Sequence, residues 1–126
     1  MTWPRTLLFA SAVLGVAVLA ASSFGQTRAH RTLVGVVGHH DAYTITLTTN
    51  GKAVKTLKAG TYTLSIHDDS SIHNYELDGP HGKSWAFTSV PFKGVKTVTL
   101  KLIAGTYKAF CAPHESVMFQ HFTVTR

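Results

Sequence analysis

Near the end of the chain, Cys111-Ala112-Pro113-His114-Glu115-Ser116-Val117-Met118 sets a thiol, an imidazole and a thioether on one short stretch. Cysteine and histidine stand three positions apart and the methionine four further on, so a single loop can turn all three toward one point. Soft sulfur donors combined with imidazole select copper, and two histidines, one cysteine and a weak, distant methionine define an electron-transfer copper site. Structural zinc would want a fourth strong ligand instead. The loop carries one histidine, so a second must come from elsewhere. Ser71-Ile72-His73-Asn74-Tyr75 offers it.

Cys111 is the only cysteine of the 126 residues, so an internal disulfide is excluded. A lone thiol is then buried and inert, paired with another chain, or held as a metal thiolate. The remaining chemistry-bearing side chains read more simply. His39-His40-Asp41 is a polar loop, with a second ion as the rival reading. His67 reads as a surface histidine, and Asp68 and Asp69 as turn residues that stabilise backbone, with no catalytic role. His121 either approaches the donor loop or faces solvent.

Strands must position these loops. The sequence has the Thr, Val, Tyr and Gly content of β structure and no sustained helical period. Leu33–Val37 is a short apolar run. Tyr43, Ile45 and Leu47 alternate with threonines, and Asn50-Gly51 signals a tight turn. Tyr62, Leu64 and Ile66 share one face of the next strand, followed by a polar loop at 67–71 and a short strand over 72–77. Residues 83–94 are the least regular part, with Trp85, Phe87 and Phe92 as apolar bulk. Val98, Leu100 and Leu102 then point inward, as do Tyr107, Ala109 and Cys111, and Phe122–Thr125 ends the chain. Short strands with this turn frequency predict an all-β, antiparallel Greek-key sandwich. Ala59-Gly60-Thr61-Tyr62 recurs as Ala104-Gly105-Thr106-Tyr107, which predicts two equivalent strands delivering two loops to one end.

The N-terminal region has a different grammar. One positive charge at Arg5, an uncharged run from Leu7 to Ala21, and small residues at 21–23 read as a secretory signal peptide over 1–25. The run is short for a spanning helix, although left uncleaved it would serve as a membrane anchor. No cysteine follows it, which excludes lipid attachment there. Residues 26–32 read as a linker and 33–126 as one domain. The expected compartment is periplasmic or extracellular. Net charge is +6, but the lysines are spaced singly along strand patterns, as on a solvated face, so nucleic-acid binding is not indicated.

The chain resembles the cupredoxins, the plastocyanin-like small copper proteins of bacteria, from Tyr43 to the C-terminus. The motifs are His73-Asn74 in one loop, and Tyr107 to Cys111, Pro113-His114 and Met118 in the other. The resemblance implies one type 1 copper ion, with His73, Cys111 and His114 as the trigonal ligands and Met118 as the axial one. Asn74 would tie the loops together by hydrogen bonds, and Pro113 would remove a backbone donor near the thiolate. Two departures stand out: the His-to-Met spacing is one residue shorter than in plastocyanin, and Gln120 stands where a glycine is common. The implied function is one-electron transfer between redox partner proteins, not enzymatic and without a small-molecule substrate. Electrons would leave through His114, beneath an apolar patch of Val117, Phe119 and the Pro80 region, with lysines steering acidic partners. Phe110 is a second route, or a packed aromatic. The rival functions are a periplasmic copper carrier or buffer using the same ligands, an enzyme module completed by another chain, and a structural domain that has lost its metal.

Overall fold

The computed structural model describes residues 30–126, and the signal segment read over 1–25 lies outside them. Ten strands run in chain order: β1 Arg31–Val37, β2 Ile45–Thr49, β3 Lys52–Ala53, β4 Thr56–Lys58, β5 Gly60–Asp68, β6 Glu76–Asp78, β7 Ser84–Ala86, β8 Gly94–Leu102, β9 Gly105–Phe110 and β10 Phe119–Thr125. They form two five-stranded sheets, ordered β3-β2-β1-β5-β8 and β4-β10-β9-β6-β7. Strand β1 begins at Arg31, two residues inside the segment read as linker.

The sandwich is all-β as the patterning predicts, but its sheets are mixed rather than purely antiparallel. β1 pairs parallel with β5, and β4 pairs parallel with β10. The chain changes sheets between β3 and β4, so it returns to β5 from the far side and lies alongside β1 in the same direction. Parallel neighbours require such a crossover, and turn residues alone do not reveal one.

Each sheet contributes alternate side chains to one core. Leu33, Val37, Ile45, Leu47, Leu64 and Ile66 come from the first, and Leu77, Tyr107, Ala109, Phe122 and Val124 from the second. Tyr107 stacks on Phe122 with ring centroids 5.1 Å apart. The repeated Ala-Gly-Thr-Tyr segments open β5 and β9, one in each sheet. In both, the tyrosine hydroxyl donates to the carbonyl four residues back: Tyr62 to Lys58 at 2.6 Å and Tyr107 to Ile103 at 3.0 Å. This is the tyrosine-corner device, which pins the incoming chain to the strand that follows. The two strands thus have equivalent starts, and both run to the same end of the molecule, where Asp68 and Cys111 lie.

Three local expectations change. Residues 67 and 68 extend β5 rather than forming a loop, because β5 is flanked by β1 and β8 and its backbone stays in register through His67↔Val95 and Asp68↔Gly94. The segment from Ile72 to Tyr75 is loop, and the strand is only Glu76–Asp78. Tyr43 does not join β2. His40 and Asp41 adopt positive φ in a 3-10 turn, and the Thr44 carbonyl accepts the Gly38 amide at 3.0 Å. The turn swings Tyr43 out over the end of the sandwich, where it is 56% exposed.

Two residues brace the fold beneath the loops. Tyr75 lays its ring against Gly35 of β1, where a β-carbon would stand 2.7 Å from the ring, and its hydroxyl donates to the Thr46 carbonyl at 3.0 Å. Gln120 joins the two sheets: its Oε1 accepts the Leu47 amide at 2.9 Å, and its Nε2 donates to the carbonyls of Leu47 and Val54 at 3.0 Å each. The side chain that replaces a common glycine is therefore a structural staple. Gln120→Ala should cost about 1–3 kcal/mol, because it leaves the Leu47 amide and the Val54 carbonyl without their partner. Urea unfolding of the two proteins measures this, and an unchanged midpoint would refute the staple.

Candidate metal centre

The site is built where two loops leave the same end of the two sheets. β5 delivers residues 69–75 across to the second sheet, with His73 fully buried. β9 delivers Cys111, also fully buried, followed by a 3-10 turn at Ala112–His114. That turn closes on itself. The Cys111 carbonyl accepts the His114 amide at 3.1 Å, the His114 carbonyl accepts the Met118 amide at 2.9 Å, and the Met118 carbonyl accepts the Cys111 amide at 3.1 Å. The ring of bonds returns Met118 to the core under the loop, at 1% exposure.

His73, Cys111 and His114 converge, with one donor atom from each lying within 4.8 Å of the others. The Nδ1 atoms of His73 and His114 are 3.0 Å apart, and each is 3.7 Å from Cys111 Sγ. Asn74 joins the two loops: its Oδ1 accepts the Ala112 amide at 2.8 Å, and its Nδ2 donates to Glu76 at 2.8 Å. Its own amide points at Cys111 Sγ, 3.5 Å away. Pro113 sits in the turn between the sulfur and His114 and brings no amide hydrogen to it.

The donors fit one copper ion. Two imidazole nitrogens and a sulfur, close together with His73 and Cys111 fully buried, are a soft trigonal set, and a thioether lies on the same loop. The residues beyond this cluster stand apart. His39 bonds Asp69 at 3.0 Å on the surface. His121 is exposed on the outer face of β10, edge-on to Phe119. Phe110 is packed, with the Lys108 ammonium over its ring. The Pro80 region, expected beside His114, packs instead against Gly105, at the opposite end of β9. Exposed apolar side chains flank the donors: Ile72 precedes His73, Val117 precedes Met118, and Tyr43 lies against both imidazoles.

Tyr43 is the contributor that patterning hides. Its ring stands edge-on to both imidazoles, with centroids 4.6 Å from His114 and 5.0 Å from His73. In sequence it continues the alternation of Ile45 and Leu47, and only the positive-φ turn before it takes it out of the strand.

Burial pushes the Cys111 thiol above its ordinary range, and the amides of Asn74 and His114 draw it partly back. In the metal-free protein the thiol is therefore protonated at neutral pH, and metal binding must release that proton. For a raised value, the stabilising contribution is complete below the ordinary thiol pKa of 9.0 and is lost as pH rises through the folded one. The metal-free protein should thus unfold at lower urea as pH climbs past 9.0, and Cys111 should resist iodoacetamide. Alkylation as fast as in the denatured chain would contradict this burial.

No family model matches the chain, and no curated protein does. Solved structures match its fold. A methionine-to-glutamine mutant of rusticyanin superposes with a TM-score of 0.53 at 17% identity, covering 75% of this chain and 76% of that one. Rusticyanin from Thiobacillus ferrooxidans gives 0.50 at 18% identity over the same shares. A purple cupredoxin from Nitrosopumilus maritimus gives 0.41 at 20% identity, over 75% of this chain and 99% of that one. The chain thus shares the β-sandwich fold of rusticyanin, and one end of its sandwich brings together two imidazoles and a cysteine sulfur that fit one copper ion.

Proposed function

We propose that this is an exported carrier of single electrons, with His73, Cys111 and His114 as the strong ligands of one copper ion and Met118 as the weak one. The observation that carries the reading is the convergence of two imidazole Nδ1 atoms and a buried sulfur within 4.8 Å, from loops of two different sheets. Copper, when bound, supplies the Cu(I)/Cu(II) couple.

The chain's own residues supply the rest. Asn74 and the closed turn from Cys111 to Met118 hold the donors in place, which suits a couple that must change charge with little movement. Burial of His73, Cys111 and Met118 keeps water and small molecules out, which favours a carrier over a catalyst. His114 is the half-buried donor, so it and the Tyr43 ring against it connect the site to the surface. Ile72, Val117 and Tyr43 are exposed apolar side chains suited to brief docking. Exposed Lys93, where the chain enters β8 beside the end of β5, gives that end a positive charge for an acidic redox partner. Among the described residues no helix is long and apolar enough to cross a membrane, so attachment would fall to the N-terminal apolar segment.

Titration of the purified protein with Cu(II) tests the centre. An intense visible thiolate-to-copper band with narrow copper hyperfine splitting is expected, and Cys111→Ser should remove both. Met118→Leu should keep the colour and shift the potential. A colourless protein that binds copper no better than Cys111→Ser would end the reading. Slow electron self-exchange together with tight Cu(I) retention and handover would make it a copper carrier instead.

A further inference from the structure

Behind His73 lies a charged group that the copper reading leaves unused. β5 turns Tyr62, Leu64 and Ile66 into the core, and the next position in that row is Asp68, at 1% exposure. A carboxyl at the end of an apolar row is costly without a partner. Asp68 Oδ1 accepts the Ser70 amide at 3.4 Å and the Thr88 hydroxyl lies near the carboxyl, while Oδ2 is buried and makes no hydrogen bond of ordinary length. His73 has the complementary gap. Its Nδ1 is turned to Cys111 and His114, and its Nε2 is buried without a partner.

The two orphaned atoms share a neighbourhood. A β-carbon built on Gly38 would lie 2.4 Å from Ser70 Cβ and 2.8 Å from His73 Cδ2, the ring carbon bonded to Nε2. Ser70, which shares the Gly38 surface with His73, is also the residue whose amide bonds Asp68. Burial pushes the Asp68 carboxyl above its ordinary range, and the nearby Thr88 hydroxyl, the Ser70 amide and, least of all, the His73 imidazole draw it partly back. One orphan is an acceptor, and the other is a donor whenever Nδ1 keeps its lone pair for the site. Buried polar atoms of this kind are rarely left unpaired, and a water commonly joins them when they do not touch.

We propose that Asp68 is the positioning residue of His73: its carboxylate accepts the Nε2 proton, by direct contact or through one buried water, and so fixes the tautomer whose Nδ1 faces Cys111 and His114. An outer carboxylate of this kind orients a metal-binding imidazole and raises its basicity. It also sets a negative charge behind the site, which favours the more highly charged metal state. Because His73 matters here as a donor, this role rests on the type 1 copper reading.

Nitrogen-15 labelling of the histidines tests it in the wild-type protein, metal-free and Cu(I)-loaded. A slowly exchanging, downfield Nε2 proton on His73 is expected in both, and Asp68→Ala should accelerate its exchange and move its resonance. Asp68→Asn should weaken Cu(II) binding about 10- to 100-fold, with a smaller loss for Cu(I). A tenfold difference between the two raises the potential by about 59 mV. An Nδ1-protonated His73 in the metal-free wild type would overturn the role, and this readout stands even if the variants do not fold. So would an unchanged Nε2 resonance in Asp68→Ala with an unchanged ratio of Cu(II) to Cu(I) affinity in Asp68→Asn. A wild type that turns blue while these signatures are absent refutes Asp68 alone; a wild type that binds no copper refutes the centre itself.

Discussion

The hydrogen bond from the Ala112 amide to Asn74 Oδ1 is the joint on which the centre depends. His73 arrives from β5 of one sheet, and Cys111 leaves β9 of the other. No ladder joins β5 to β9 directly; the histidine loop meets β9 where β6 begins, with Glu76 opposite Phe110. Just before that pairing, the Asn74 side chain extends the join beyond the ladder and fixes the histidine loop against the cysteine turn. It costs little, since Asn74 also satisfies its Nδ2 on Glu76 and so leaves no buried donor open.

Around that joint the core is shaped to carry loops rather than to maximise burial. The Tyr75 ring needs the bare backbone of Gly35, and its hydroxyl reaches Thr46 on the neighbouring strand, so the histidine loop is anchored to both β1 and β2. The Tyr62 and Tyr107 corners tie down the far ends of β5 and β9. With both ends fixed, the loops between them have few ways to move. The polar groups left under the loops, Asp68 and His73 among them, cost stability unless they are paired. Their concentration beside the sulfur makes the site end the least apolar part of an otherwise hydrophobic interior.

Where the pattern had period two and a core on one side, it was legible: Tyr62-Leu64-Ile66, Val98-Leu100-Leu102 and Tyr107-Ala109-Cys111 each face as their alternation indicates, apart from a half-buried Val98. The misreadings fall at strand ends and crossovers. Tyr43 fits the alternation of β2 and lies outside it, because a left-handed turn at His40 and Asp41 redirects the chain. His67 and Asp68 look like a loop by polarity but remain in the ladder, because an inner strand bonds on both sides whatever its side chains carry. The Pro80 segment was misplaced by a whole strand length, since proximity to Gly105 is a matter of packing that no local spacing encodes.

For the centre, the donor types, the loop that holds Cys111, His114 and Met118, and the need for a histidine from elsewhere can be read from the chain alone. Those are properties of chemistry and short-range spacing, which survive without a fold. The fold supplies what the chain alone leaves open: the donor nitrogens and the sulfur converge within 4.8 Å, Gln120 staples the sheets, and Tyr43 leans on both imidazoles. Each of these joins residues far apart in the chain. Such contacts are set by how two sheets stack and how loops cross between them, and a one-dimensional pattern carries no record of that.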